Sequence, residues 1–149
     1  MMSEEQVTKL ILEWLLNKKW NIIAFDFPQS GTGIYLHPND QSSEKNDRSI
    51  NVDIIAVKDK KCVFLENKDR YFYSDFLKMN SLIKNNKYTK SIDRLLSKFN
   101  IEYFYYGIGL PSSGYNEKAK KSAKMVDFVV GVNENESIKL IYSKYDDIF

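Results

Sequence analysis

One cysteine, Cys62, and one histidine, His37, stand in a chain of 149 residues. A single thiol closes no internal disulfide, so the fold must rest on packing and hydrogen bonds, as suits a reducing, cytoplasmic setting. His37 is too isolated to build a histidine metal site and reads as a loop residue. Nowhere is there the run of about 20 apolar residues that a membrane-spanning helix needs. The acidic start Met-Met-Ser-Glu-Glu lacks the basic segment and apolar run of a secretion signal, so no membrane partner is expected. With three prolines and six glycines there is no low-complexity tract and no domain linker. Strong charge is missing too: the formal net charge of +2 does not by itself argue for nucleic acid.

What is present is the composition of a core-former, 43% hydrophobic and 14% aromatic, at a length that suits one domain, 1–149. The bases are unevenly spread. Lys84, Lys87, Lys90, Arg94, Lys98, Lys118, Lys120, Lys121 and Lys124 face only Asp93, Glu102 and Glu117 within residues 84–124. Such a one-sided basic face can neutralise phosphates, with Lys84, Lys87, Lys118 and Lys121 as candidate nucleic-acid contacts. A solvated lysine-rich surface is an equally good account.

Residues 3–19 read as a helix. Ser3 and Gln6 have capping-box spacing, and Val7, Leu10, Ile11, Trp14 and Leu15 follow helical periodicity. Trp20 to Phe27 reads as a strand stopped by Pro28. A polar, glycine-containing loop from Gln29 to Ser49 follows. Two apolar runs, Ile50 to Lys58 and Lys61 to Asn67, joined by Asp59-Lys60, form the clearest hairpin. Helices are expected from Ser74, as cap, to about Asn85, with Phe76, Leu77 and Leu82 as its apolar members, and from about Lys90 to Phe99. Ile101 to Leu110 is β-rich and closed by Pro111. Asn116 to Lys124 reads as a short basic helix, and Val126–Val132 and Ser137–Tyr142 as closing strands. The expected fold is a single α/β domain, a central mixed β-sheet flanked by helices.

Within the hairpin, Asp53 stands alone among apolar strand residues, and the second strand ends Glu66-Asn67-Lys68. The i, i+2 spacing of Glu66 and Lys68 sets both on one face, and a short turn lets Asp53 converge with Glu66. Paired carboxylates make a hard oxygen site suited to Mg²⁺. A neighbouring ammonium can orient or help deprotonate an attacking water and stabilise added negative charge. The competing account is a cross-strand ion pair at the sheet edge. Cys62 reads as a buried small hydrophobe. Tyr71-Phe72-Tyr73 could stack on bases, although most tyrosines should be packing.

This order of features resembles the PD-(D/E)XK nuclease superfamily, which includes type II restriction endonucleases and archaeal Holliday junction resolvases. An acidic first helix leads to a strand, then Gln29-Ser30-Gly31-Thr32-Gly33, then Val52-Asp53, then Glu66-Asn67-Lys68. Val52 stands where the superfamily's name puts a proline. The resemblance spans roughly Ser3 to Lys68 and implies a restriction-endonuclease-like fold. It further implies that Asp53, Glu66 and the backbone carbonyl of Asn67 hold Mg²⁺, and that Lys68 assists the water. A Glu from the first helix often joins such sites, and Glu4, on the stripe of Val7, Ile11 and Trp14, is the candidate. Acids in a first turn also simply favour the helix dipole. The Gln29, Ser30 and Thr32 loop could present N–H groups and hydroxyls to a phosphate, or be an ordinary turn. The implied activity is Mg²⁺-dependent DNA endonucleolysis of restriction type, with one site per chain and therefore a homodimer or partner subunit for double-strand cutting. A junction-resolvase-like nuclease and a non-catalytic DNA-binding or assembly subunit are the alternatives.

Overall fold

Ser3 starts the first helix as its spacing with Gln6 predicts. Its Oγ accepts from the Gln6 N–H at 3.1 Å, and Gln6 Oε1 accepts from the Ser3 N–H at 2.8 Å. Helix α1 (Glu4–Asn17) buries Val7, Thr8, Ile11, Leu12 and Leu15 on one stripe. Lys19, in the left-handed region at φ 69°, turns the chain into strand β1 (Asn21–Phe25). The computed structural model describes residues 2–26, 34–36, 50–85 and 88–149. Phe27, Pro28, His37 and the 29–33 loop with Gln29, Ser30 and Thr32 lie outside the described residues, as does Lys87.

The stretch read as loop from 29 to 49 contains a short strand. Here β2 (Ile34–Leu36) pairs antiparallel with β3 (Ile50–Val52). Three β-prone residues carry too little periodicity to mark a strand before their partner is known. The predicted hairpin forms as β4 (Ile54–Lys58) and β5 (Lys61–Asn67), turning at Asp59 with φ 56°. Its first arm is divided: the chain bends at Asp53, so that β3 leaves to pair with β2.

Helix α2 (Tyr73–Lys84) corrects the sequence reading at its start. Phe72 occupies the cap position without a side-chain hydrogen bond, and Ser74 lies inside the helix. Phe76, Met79 and Leu82 point inward, whereas Leu77 is 46% exposed, because burial follows the three-residue spacing from Phe76. Helix α3 (Thr89–Leu95) is shorter than expected and gives way to turns before Phe99. Strand β6 (Tyr103–Pro111), helix α4 (Glu117–Ser122), β7 (Phe128–Val132) and β8 (Ile138–Ser143) complete the order. Asn116 caps α4, its Oδ1 accepting from the Ala119 N–H at 2.9 Å.

The six-stranded sheet runs β1-β4-β5-β6-β7-β8, parallel through β5, β6 and β7 and antiparallel elsewhere. Alternation divides its side chains between two layers. Ile54, Ala56, Val63, Leu65 and Val130 meet Val7, Ile11 and Leu15 of α1. Ile55, Cys62, Phe64, Ile108 and Val129 meet Phe76, Met79 and Leu82 of α2 and Ile92 of α3. The architecture is the expected α/β arrangement, a mixed sheet flanked by helices. Cys62 is fully buried, and burial holds its thiol in the neutral form. No helix among the described residues is long and apolar enough to cross a membrane.

Candidate active site

The β4–β5 register pairs Ile54 with Leu65, which sets Asp53 and Glu66 next to each other one step further along. Both lie on the α2 side of the sheet, by parity with Ile55 and Phe64. The backbone at Asp53 is pinned on two sides: its N–H donates to the Leu65 carbonyl at 3.0 Å, and its carbonyl accepts from the Asp26 N–H at 2.8 Å. The Asp53 carboxylate accepts from the Asn67 N–H at 2.8 Å. The chain bends at this aspartate while its position relative to β5 stays fixed.

Asp53 is 7% exposed and Glu66 5% exposed, so two carboxyls share one buried corner. Burial, a hydrogen bond to Glu66 and the Glu66 charge push the Asp53 carboxyl up from 3.8 to about 8; the Asn67 N–H and Lys78 pull in the other direction. Two like charges this close hold a proton between them or call for a cation. Lys78 of α2 supplies one, its ammonium forming an ion pair with Glu66.

Lys68 follows β5, and its ammonium lies 3.5 Å from Glu4 Oε1 in the first turn of α1. Burial opposes its charge, but the carboxylates of Asp75, Glu4, Glu66 and Asp53 outweigh that and raise its pKa. The group therefore stays an ammonium. Asp75, only 7% exposed on α2, has a buried Oδ2 without a hydrogen-bond partner among the described residues. Burial raises its pKa, against the lowering charges of Lys68 and Lys78. Burial likewise raises that of Glu4, which Lys68 counters.

The structure thus brings Asp53, Glu66, Lys68 and Glu4 to one end of the sheet. Asn67 joins through its backbone: in a strand the N–H and C=O of one residue leave on the same side, so its carbonyl faces the edge on which its N–H meets Asp53. Lys84, Lys118 and Lys121 are exposed, on the neighbouring helices α2 and α4. Phe72 and Tyr73 are 40% and 52% exposed, and the Lys68 and Arg70 cations sit over the Phe72 ring at 5.9 and 5.7 Å.

No family model, no curated protein and no solved structure matches this chain. The functional reading therefore stands on the geometry.

Sequence reasoning missed Lys78, Asp75 and Asp26. Asp26, 8% exposed at the end of β1, accepts from Asn51 Nδ2 at 3.4 Å and lies beside the Asp53 backbone. A signal for the α2 pair was available: Asp75 and Lys78 flank Phe76 and Met79 on the inward stripe, where a charge demands a partner. The side chain of Asn67 was also missed. It turns to the α1 face, and its Nδ2 donates to Thr8 Oγ1 at 3.1 Å.

A divalent cation fits this corner. Among the described residues no group of three or more His, Cys, Asp or Glu side chains is arranged to hold a metal, so a fully protein-lined cage is not on offer. Mg²⁺ does not require one, since it keeps several waters and takes one or two carboxylates. The Asp53–Glu66 pair, crowded enough to retain a proton, is such a donor set, and the Asn67 carbonyl extends it.

Proposed function

We propose that this protein is a metal-dependent nuclease that hydrolyses phosphodiester bonds in DNA. One observation carries the reading: Asp53 and Glu66 face each other in a buried corner with the Lys68 ammonium beside them. Counted together, the four carboxylates of Glu4, Asp53, Glu66 and Asp75 meet the two ammonium groups of Lys68 and Lys78, and that excess of acid in a buried corner favours binding of a further cation.

Asp53, Glu66 and the Asn67 carbonyl would hold Mg²⁺. When bound, that ion lowers the pKa of a coordinated water and offsets the negative charge of a phosphate. Lys68 contributes a fixed positive charge. Since its carboxylate neighbours keep it protonated, its part is to orient the attacking water and to stabilise the charge that builds on the phosphate, more than to remove a proton. Glu4 holds the Lys68 ammonium in place from α1. The exposed lysines of α2 and α4, among them Lys84, Lys118 and Lys121, supply sequence-independent attraction for the backbone. The exposed rings of Phe72 and Tyr73 beside Lys68 offer stacking faces for unpaired bases. These assignments agree with the PD-(D/E)XK superfamily that the sequence motif resembles. With one such corner among the described residues, a double-strand break would take a homodimer or a partner subunit.

The test is cleavage of plasmid and genomic DNA in Mg²⁺, beside EDTA controls and the variants Asp53→Ala and Lys68→Ala. Discrete fragments lost in every control support a restriction-type enzyme. Cutting confined to four-way junctions moves the specificity to DNA structure. A folded protein that neither cleaves nor binds Mg²⁺ makes Asp53, Glu66 and Lys68 a structural ion cluster and ends the proposal.

A further inference from the structure

Lys78 stands apart from the other cation of the site. Lys68 pairs with Glu4, a residue outside the carboxylate corner, whereas the Lys78 ammonium sits directly on Glu66, one of the two carboxylates that would take the metal. The Glu66 side chain is 7% exposed and that of Lys78 24%, so the ion pair lies at the mouth of the corner with the lysine outermost. The groups around that ammonium are Glu66, Asp53 and Asp75.

The Lys78 ammonium offsets the charge of a carboxylate that a metal would use. A dication held by Glu66 would take over that part, and an ammonium left in place would then lie against it. Like charges at contact distance repel strongly even where solvent partly screens them. Lys78 has a flexible four-carbon stem and a side chain that is 24% exposed, so its ammonium can swing out to solvent.

We propose that Lys78 is a displaceable counter-ion that couples metal loading to nucleic-acid binding. It occupies Glu66 in the metal-free protein, and a divalent cation releases it to the phosphodiester backbone. The inference rests on the nuclease reading above and adds to it an order of events: the metal arrives, a cation is freed at the mouth, and the phosphate backbone is held. Lys78 is a positioning residue toward Glu66 and a phosphate ligand once released.

The experiment measures Ca²⁺ binding by calorimetry and the affinity for a short fluorescent DNA duplex with and without Ca²⁺. It compares the unaltered protein, Lys78→Gln, Lys78→Arg and, as a control for loss of any nearby positive charge, Lys68→Gln. Lys78→Gln should bind Ca²⁺ about 5- to 150-fold more tightly, the usual span of a coupling between sites, while the strengthening of DNA binding by Ca²⁺ shrinks. Lys78→Arg, whose forked guanidinium grips a carboxylate better than an ammonium does, should bind Ca²⁺ no more tightly than the unaltered protein. That variant keeps the ion pair and carries the test if Lys78→Gln fails to fold. Lys68→Gln should give a smaller gain than Lys78→Gln.

If Ca²⁺ affinity in Lys78→Gln is unchanged or weaker, or equals that of Lys68→Gln, the coupling role is overturned. Tighter Ca²⁺ binding by Lys78→Arg overturns it as well. An unaltered protein that binds Ca²⁺ and DNA while these variants behave alike leaves the nuclease reading standing and removes only this inference. An unaltered protein that binds neither removes both.

Discussion

The Asn67 amide donates to the Thr8 hydroxyl at 3.1 Å, tying the first helix to the end of the strand that carries the candidate metal ligands. Glu4 and Thr8 are i and i+4 on α1, so one helix face meets two consecutive residues, Asn67 and Lys68. The helix is thereby aligned with the corner from outside it. Thr8 and Asn67 are both fully buried, and Thr8→Val leaves the Asn67 amide without its partner. The expected loss is about 1–3 kcal/mol of stability, read from urea unfolding, together with reduced cleavage. Thr8→Ser keeps the acceptor and should recover most of both.

The Asp53 carboxyl predicts how stability varies with pH in chelator. Its folded-state pKa lies above the ordinary 3.8, at about 8. The folded protein therefore binds more protons than the unfolded chain between those values, and stability falls as pH rises through that window. The slope from one such group is at most about 1.4 kcal/mol per pH unit. Asp53→Asn can still accept from the Asn67 N–H and has no charge to repel Glu66. Unfolding temperatures recorded in EDTA from pH 4 to 8 should decline for the unaltered protein and stay flatter for Asp53→Asn, which becomes the more stable of the two near neutrality. Parallel curves would show that Asp53 carries no shifted proton.

Much of this corner was legible because local chemistry wrote it. A lone acid in an apolar strand, a two-residue turn and a strand ending Glu-Asn-Lys give the hairpin and the faces of Asp53 and Glu66 from side-chain alternation alone. The capping box made the start of α1 readable in the same way, and with it the position of Glu4. What could not be read depends on contacts between distant segments. The pairing of Ile34–Leu36 with Ile50–Val52 exists only once the chain has returned on itself. Lys78 and Asp75 matter because α2 is laid over β6 with Lys78 reaching across to Glu66 of β5, and no spacing within α2 specifies that. The start of α2 misled because Ser74 suits a cap, whereas packing of Phe76 and Met79 sets the boundary at Tyr73.

Lys68 separates the active-site reading from a purely structural ion cluster. Its bridge to Glu4 is about one-third exposed on either side, and a bridge of that kind contributes little to stability. Lys68→Gln should therefore change the unfolding temperature slightly. Cleavage should fall by about 10²–10⁴-fold, the range for loss of a positioned acid–base or charge-stabilising group. Lys68→Arg keeps the charge while changing its shape and reach, and should retain part of the activity. Steady-state rates at saturating Mg²⁺ check both. Stability lost in proportion to activity would return Lys68 to a structural role.

Gly109 tests whether the corner depends on close packing of the layers behind it. It pairs with Asn67 across the parallel β5–β6 ladder, and its carbonyl accepts from the Lys68 N–H at 3.0 Å. A methyl group built there would collide with Asn67 Oδ1 and with Ile11 Cδ1 of α1. Neither neighbour can give way freely, since Asn67 is bonded to Thr8 and to Asp53, and Ile11 is fully buried. Gly109→Ala should thus push α1 and the end of β5 apart, at about 1–3 kcal/mol for overpacking. Asn67 and Lys68 would move with them, so activity should drop even where the protein remains folded, and Ca²⁺ affinity should weaken through Asn67. Urea unfolding beside Ca²⁺ calorimetry separates the two effects. A variant with unchanged stability would mean that α1 yields easily, and that the Thr8–Asn67 tie does not set the geometry of the site.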